Sequence, residues 1–211
     1  TKLIMFITFE GLDFCGKSTQ VKLLKEKLEG LGKKVVLIRE PGGTNISEKV
    51  RDILLDKKND EMLIEAELLL FSASRAQLVR EKILPLLEKG YFVISDRFHD
   101  SSIAYQGYGR GINLESVKAI QNFAIGKAIP ALTFFIDLPL PDIDKRRFEF
   151  GVTNLDRIEL SENDFYERVR TGYLELSKYE ERFITIDGRE TIQNIHSQII
   201  EVVKNRIENN E

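Results

Sequence analysis

With Cys15 as its one cysteine, the chain cannot form an intrachain disulfide, so its stability has to come from packing. A reducing compartment fits that count. Long apolar runs are missing too. The longest, residues 3–9, is interrupted by Thr8 and falls far short of the roughly 20 residues that a membrane span needs. The start of the sequence lacks the charged head and small-residue cleavage site of an export signal, so the cytoplasm is the expected location, with no membrane partner. Neither sign of charge dominates: 31 Lys and Arg stand against 34 Asp and Glu, for a formal net charge of −3. That balance creates no global field for nucleic acid, and no such partner is expected. No internal repeat and no low-complexity segment is visible.

What the chain does have is 211 residues, 42% of them apolar and 31% charged, the profile of a globular protein with one compact core. A single domain spanning residues 1–211 is expected. Short apolar runs alternate with longer amphipathic ones. Residues 3–9, 35–38, 91–94, 132–136 and 183–186 read as strands buried on both faces. Between them lie helical patterns. Val21, Leu24, Leu28 and Leu31 recur at three- and four-residue steps, with Gly32 placed to stop the helix. Residues 64–84, closed near Pro85, then 114–128, 164–176 and 192–207 complete the set. Strand–helix alternation predicts an α/β fold with a parallel sheet covered by helices. In such sheets, ligands bind beyond the carboxyl ends of the strands. The chemistry is therefore sought just after Phe9, Ile38, Ile94, Ile136 and Ile186.

Directly after Phe9, the residues Gly11, Leu12, Asp13, Phe14, Cys15, Gly16, Lys17, Ser18 and Thr19 satisfy G-x-x-x-x-G-K-[ST], between a strand and a helix. A loop that wraps phosphate needs inward-pointing backbone N–H groups and no side chains in the way. The helix opening near Lys17 adds the positive end of its dipole. Lys17 can reach the β- and γ-phosphates of a nucleoside triphosphate, and the Ser18 hydroxyl can ligate Mg²⁺. The pattern specifies the donor nucleotide, not the reaction.

Three further segments carry polar chemistry. Arg39 leaves a strand tip beside the turn Glu40-Pro41-Gly42-Gly43-Thr44, well placed to clamp a phosphate. Taken alone, a surface arginine in a turn is the stronger reading. Phe71 and Arg75 stand four apart on one helix face, where a ring and a planar donor could hold a base; in isolation, core phenylalanine and solvated arginine is the simpler reading. Asp96, at the tip of the third strand, is positioned to help hold a Mg²⁺ hydration shell, and Arg97 to neutralise charge between two phosphates. Ser101, Ser102, Tyr105 and Gln106 offer neutral hydrogen-bonding groups suited to a sugar and a base edge.

Together, the phosphate loop and residues 39–44, 71–75 and 96–111 closely resemble bacterial-type thymidylate kinases, in the same order and at similar spacings. Residues 132–137, 156–159 and 165–173 extend the likeness over essentially the whole chain. The resemblance implies a P-loop NTPase fold with a five-stranded parallel sheet flanked by helices on both faces. It also implies ATP with Mg²⁺, thymidine monophosphate as acceptor, and a homodimer. By the same resemblance, Phe71 would stack on thymine and Arg75 would bond a thymine carbonyl. Arg39 and Arg97 would hold the acceptor phosphate, and Asp13 the sugar's 3′-hydroxyl. Ser101 or Ser102 would face the base, Tyr105 would pack on the deoxyribose, and Gln106 would lie nearby. Arg146 would stack on adenine beside the turn at Asp187-Gly188-Arg189, and a lid would span about residues 142–160.

Two positions depart from the pattern. Phe14 stands where bacterial relatives have glycine and animal or fungal relatives have arginine. In the lid, Phe150 occupies a position where a further arginine is common, so Arg147 or Arg157 must serve the transferred phosphate. Arg146 and Arg147 also read as a solvated helix face. His99 and His196 are assigned structural or exposed roles, because an acceptor phosphate is already anionic and needs no general base. Two rivals stay open: a kinase for another nucleoside monophosphate or a nucleoside, and a catalytically weak nucleotide binder. A GTP switch is disfavoured, since Asp96-Arg97-Phe98-His99 is no D-x-x-G and residues 57–60 offer only K-K-N-D.

Overall fold

The computed structural model describes residues 5–151, 156–159 and 161–208. Its sheet contains β1 (Met5–Glu10), β2 (Val35–Arg39), β3 (Phe92–Asp96), β4 (Leu132–Asp137) and β5 (Phe183–Asp187), in the order β2-β3-β1-β4-β5. Every neighbouring pair is parallel. Of the first predicted strand, residues 3 and 4 lie outside the described residues.

The central strands β1, β3 and β4 are buried on both faces, as their apolar runs predict. By contrast, β2 and β5, expected to be buried likewise, are only partly buried because they form the edges of the sheet. On β1, Met5, Ile7 and Phe9 enter one core cluster with Leu24 and Leu28 of α1 (Lys17–Gly30) and Ile199 and Val203 of α9 (Ile192–Glu208). Phe6 points the other way, into a cluster with Val93, Phe98 and Leu78. Each fully buried leucine of this kind contributes about 2 kcal/mol relative to exposure. Gly32, at φ 74°, ends the chain's first helix as its position predicts, its N–H reaching Glu29 O at 2.9 Å.

The helices between these strands hold more surprises. Thr44 caps α2 (Asn45–Leu55), a helix absent from the expected set, by accepting from Ser47 N at 3.2 Å. The predicted helix over 64–84 is instead α3 (Ile64–Leu78), a π-helical turn at Val79–Ile83, and α4 (Leu84–Glu88), which runs through Pro85. Proline lacks the N–H that a helix interior needs, and the wider turn just before it absorbs the mismatch. Residues 99–109 are also helical: α5 (His99–Ser102) passes into a second π-helical segment, Ile103–Gly109, before α6 (Leu114–Ile125). After β4 come α7 (Leu140–Glu149) and α8 (Asn163–Tyr179).

The topology places the site. Strand succession moves one way from β1 and returns across it between β3 and β4, opening a crevice at the carboxyl end of β1. There the strand tips are level and tied: Arg97 N donates to Phe9 O at 2.9 Å, and Glu40 N to Asp96 O at 3.1 Å.

Candidate active site

A cleft of about 690 Å³ opens at that crevice, within the size range of small-ligand sites. Residues 13–20 form one wall. Arg39, Phe71, Arg75, Arg97, Ser101, Ser102, Tyr105 and Gln106 all line the same space. The structure therefore brings together the donor loop and every residue assigned to the acceptor.

The loop is built on glycine where the backbone leaves no choice. Gly11 has φ 137°, and a Cβ there would stand 2.6 Å from Ile136 O. Gly16 has φ 104° immediately before α1. Phe14, by contrast, adopts φ 64° without glycine's freedom, and so does Arg97 at φ 68°. Such left-handed residues cost on the order of 1–2 kcal/mol each, and they cluster where function over-determines the backbone. Lys17 is buried, its Nζ donating to Gly11 O at 3.0 Å and Leu12 O at 2.7 Å. Ser18 Oγ donates to Asp96 Oδ2 at 2.6 Å, which joins the two expected metal ligands across 78 residues of sequence. Both are oxygen donors, the set that suits Mg²⁺.

Arg97 is the junction between loop and acceptor wall. Its Nη2 donates to Asp13 Oδ1 at 2.7 Å and to the Tyr105 hydroxyl at 3.0 Å. Nη1 reaches Ser101 Oγ and the Tyr173 hydroxyl, each at 3.3 Å. Burial works to raise the Asp13 pKa, but the charges of Arg97 and Lys17 outweigh it and hold the carboxyl below its ordinary value.

Arg75 is buried at 1% exposure, so neither the surface-arginine reading nor a freely reaching side chain describes it. Its guanidinium is salt-bridged to Glu40 and donates to Ser102 Oγ, Gln121 Oε1 and Phe98 O. Its five N–H groups all face protein acceptors. Arg39 is exposed and paired with Glu48 at 3.2 Å, in keeping with the bland reading of its turn, yet it borders the cleft.

Arg146 lies against the phosphate loop, donating to Cys15 O at 3.1 Å and Phe14 O at 3.3 Å, and to Gly188 O at 2.6 Å. It thus joins the loop to the Asp187-Gly188-Arg189 turn. Arg147 lines a small recess on the far side of Asp13 and Phe14 rather than the main cleft. Arg157 turns away, donating to Leu54 O at 2.8 Å and Glu67 Oε2 at 2.6 Å. Of the lid, residues 152–155 and 160 lie outside the described residues. Phe150, exposed, borders the cleft.

Four residues that sequence reasoning missed belong to the site. Arg51, on α2, lines the cleft and donates to Pro41 O at 2.9 Å. Burial and the nearby positive charge of Arg39 lower its pKa, so two guanidinium groups crowd one corner, as an anion site requires. The capping signal of Thr44 would have revealed its helix. Glu40 lies within the quoted turn, where its partner Arg75 could not be foreseen. Glu10 and Tyr173 lie beneath Arg97. Glu10 accepts from Phe98 N at 2.8 Å, from Ser101 Oγ at 2.6 Å and from the Tyr173 hydroxyl at 2.9 Å. His99 is buried and its pKa is pushed down to about 4 by burial, so the ring stays neutral beside Arg182, in the structural role assigned to it.

Burial and the charge of Asp100 push the Glu10 pKa from the ordinary 4.5 up to about 7. A folded pKa above the unfolded one means more protons bound in the native state across that interval. The Glu10 contribution to stability is thus whole below pH 4.5 and is lost as pH rises through about 7. Glu10→Gln is expected to flatten this part of the stability–pH profile, read as urea midpoints from pH 4.5 to 8. A variant that keeps the wild-type slope there would show that Glu10 is not its source.

Residues 9–199 match a family model described as Thymidylate kinase. The chain is 48% identical over 200 residues to the thymidylate kinase of Thermoanaerobacter sp. (strain X514), spanning 94% of this chain and 97% of that protein. It is also 48% identical over 204 residues to the thymidylate kinase of Thermosipho africanus (strain TCF52B), spanning 97% and 100% respectively. Among solved structures, the thymidylate kinase from Ehrlichia chaffeensis superimposes with a TM-score of 0.76 at 37% identity, over 94% of this chain and 98% of that one.

Proposed function

The chain belongs to the thymidylate kinase family, and from that premise we propose how the cleft at the carboxyl end of β1 holds two nucleotides phosphate to phosphate. The reaction transfers the γ-phosphate of ATP to thymidine monophosphate, giving ADP and thymidine diphosphate, a step in dTTP synthesis. The observation that carries the residue-level reading is the shared lining: the donor loop, Arg97 and the Phe71–Arg75 face border a single space.

An acceptor phosphate oxygen attacks the γ-phosphorus in line, and the bond to the β–γ bridging oxygen breaks. The acceptor is already an anion, so no side chain has to take a proton. The work left to the protein is position and charge. Lys17 and the backbone N–H groups of the loop hold the donor phosphates. Arg97 stands between donor and acceptor, kept on line by Asp13 and Tyr105. Arg39 and Arg51 hold the acceptor phosphate, Phe71 stacks on thymine, and Arg75 meets a base carbonyl. Asp13 accepts from the sugar's 3′-hydroxyl, with Tyr105 against the deoxyribose. Ser18 and Asp96 would hold Mg²⁺, which when bound neutralises charge on the donor phosphates. Arg146 covers the loop on the adenine side, and Arg147, seated in the recess beside Asp13 and Phe14, serves the moving phosphate only after its side chain swings into the cleft as water is excluded.

The working unit is a homodimer. Ile46 and Ile53 on α2, Leu69 on α3 and Phe123 on α6 are exposed apolar groups on helices that pack side by side, which supports this. The location is the cytoplasm; no helix among the described residues is long and apolar enough to cross a membrane.

A coupled ADP-release assay across the common monophosphates tests the reading. Thymidine monophosphate is expected to give the highest kcat/KM. Faster turnover with uridine or guanosine monophosphate would reassign the acceptor. Binding of both nucleotides without ADP release would make the protein a nucleotide binder.

A further inference from the structure

The α3 face that carries Phe71 and Arg75 begins one turn earlier with Glu67, a group the proposed mechanism does not use. Residues 67, 71 and 75 are spaced four apart and share one side of the helix. Glu67 is 1% exposed, so its charge is not there for solubility. Its oxygens are filled from two other segments. Oε1 accepts from Gln106 Nε2 at 3.0 Å and Arg110 Nε at 3.2 Å. Oε2 accepts from Arg157 Nη2 at 2.6 Å and Arg110 Nη2 at 3.3 Å.

The Gln106 contact has a chemical consequence. A glutamine side chain has a donor end and an acceptor end of nearly the same shape, and unaided it can turn either one to a ligand. An ionised carboxylate only accepts. Glu67 therefore compels the NH₂ end of Gln106 toward itself and leaves the carbonyl oxygen as the group that Gln106 offers to the cleft it lines. This orientation follows from the chemistry of the partner, not from the placement of one amide atom over another.

We propose that Glu67 is a positioning residue for base selectivity: by claiming the Gln106 amide NH₂, it presents the Gln106 carbonyl to the acceptor base and selects a pyrimidine with an N–H at position 3. Thymine and uracil carry that N–H. Cytosine carries a bare lone pair there, which would face the lone pairs of the carbonyl. Sliding cytosine to offer its amino group instead is blocked by Arg75, whose guanidinium has only donors. The inference rests on the acceptor placement proposed above. Arg110 and Arg157 have a part in it: burial works to raise the Glu67 pKa, but the charge of Arg110 and the hydrogen bonds from Gln106, Arg110 and Arg157 hold it below the ordinary carboxylate value. Glu67 thus stays ionised and cannot turn donor. Arg110 is itself seated over the Phe165 ring, 4.4 Å from its centroid, and Arg157 is tied to Leu54 O, so both cations are anchored.

The test compares wild type, Glu67→Gln, Gln106→Met and the double variant. Dissociation constants for thymidine monophosphate and deoxycytidine monophosphate are measured by calorimetry, and the KM for ATP is measured alongside. Glu67→Gln accepts or donates equally well, so the preference for thymidine over deoxycytidine monophosphate is expected to fall about tenfold, the scale of one mispaired buried hydrogen bond. The KM for ATP is expected to hold. In the Gln106→Met background, Glu67→Gln is expected to leave the preference where that single variant put it. A Glu67→Gln protein with wild-type preference would overturn the proposal, as would an equal fall in the Gln106→Met background. If Glu67→Gln fails to fold because two arginines are left facing each other, Gln106→Met decides: unchanged preference overturns the proposal, and lost preference upholds it. ADP release by the wild type tests the reaction separately, so the two readings fail by different measurements.

Discussion

Replacing Lys17 with alanine is expected to lower turnover with ATP and thymidine monophosphate by about a hundredfold or more, with the fold intact. The scale is that of losing one preorganised charge at a site of developing negative charge. Lys17 meets that description because it is fixed in advance. Its ammonium is buried and held by the Gly11 and Leu12 carbonyls of the loop that receives the phosphates. A lysine reaching in from solvent would have to pay in side-chain entropy at every turnover; this one has already been immobilised by folding. The loop is expected to keep its shape without Lys17, because the positive φ of Gly11 and Gly16 rests on glycine and not on the two carbonyls that Lys17 joins. The check pairs kcat from the ADP-release assay with thermal melts of the same protein. A variant with most of its turnover would remove Lys17 from the mechanism, and one with a collapsed melting temperature would attribute the loss to folding.

Arg75→Ala carries the largest expected cost in stability, about 3–5 kcal/mol, the scale of breaking one side of a buried ion pair. Both partners are almost wholly enclosed, and Glu40 Oε1 has no hydrogen-bond partner among the described residues. Without the guanidinium, burial is left to act on the Glu40 carboxylate unopposed, and Ser102 Oγ, Gln121 Oε1 and Phe98 O lose a donor together. Pairing the change as Arg75→Met with Glu40→Gln removes both charges and is expected to recover much of the loss. Urea denaturation of the three variants measures this. A loss below about 1 kcal/mol for Arg75→Ala would place Arg75 with exposed pairs and contradict its burial.

These expectations show where reading by sequence stops. Arg75 could be assigned to one helix face with Phe71, but its partners Glu40, Ser102, Phe98 and Gln121 lie 23 to 46 residues away or more than one element distant. No local pattern encodes that enclosure. Phe14 was legible as a departure in the loop, whereas its left-handed backbone was not. The helix α2 was missed although Ile46, Val50, Ile53 and Leu54 recur at helical steps; that spacing and the Thr44 cap in front of it were the usable signals. Pro85 was taken as a stop because proline breaks an ordinary α-helix, and a π turn is a tertiary accommodation that residue propensity does not announce. Arg157 illustrates the same limit in the lid: its charge was legible, its direction was not.

Taken by itself, the order of residues determined the five strands, the glycine-set phosphate loop and the lysine and serine that follow it. These depend on contacts between near neighbours: strand alternation, turn sterics and helix starts act within a few residues. The order of residues did not show that β2 and β5 would be partly exposed edges. Only the tertiary structure decided which charges meet. Asp13 finds Arg97 across 84 residues, Glu40 finds Arg75 across 35, and Glu67 finds Arg157 across 90. Those pairings follow from strand order and the burial it imposes, because a charge taken out of water must find its counter-charge wherever the chain has brought one.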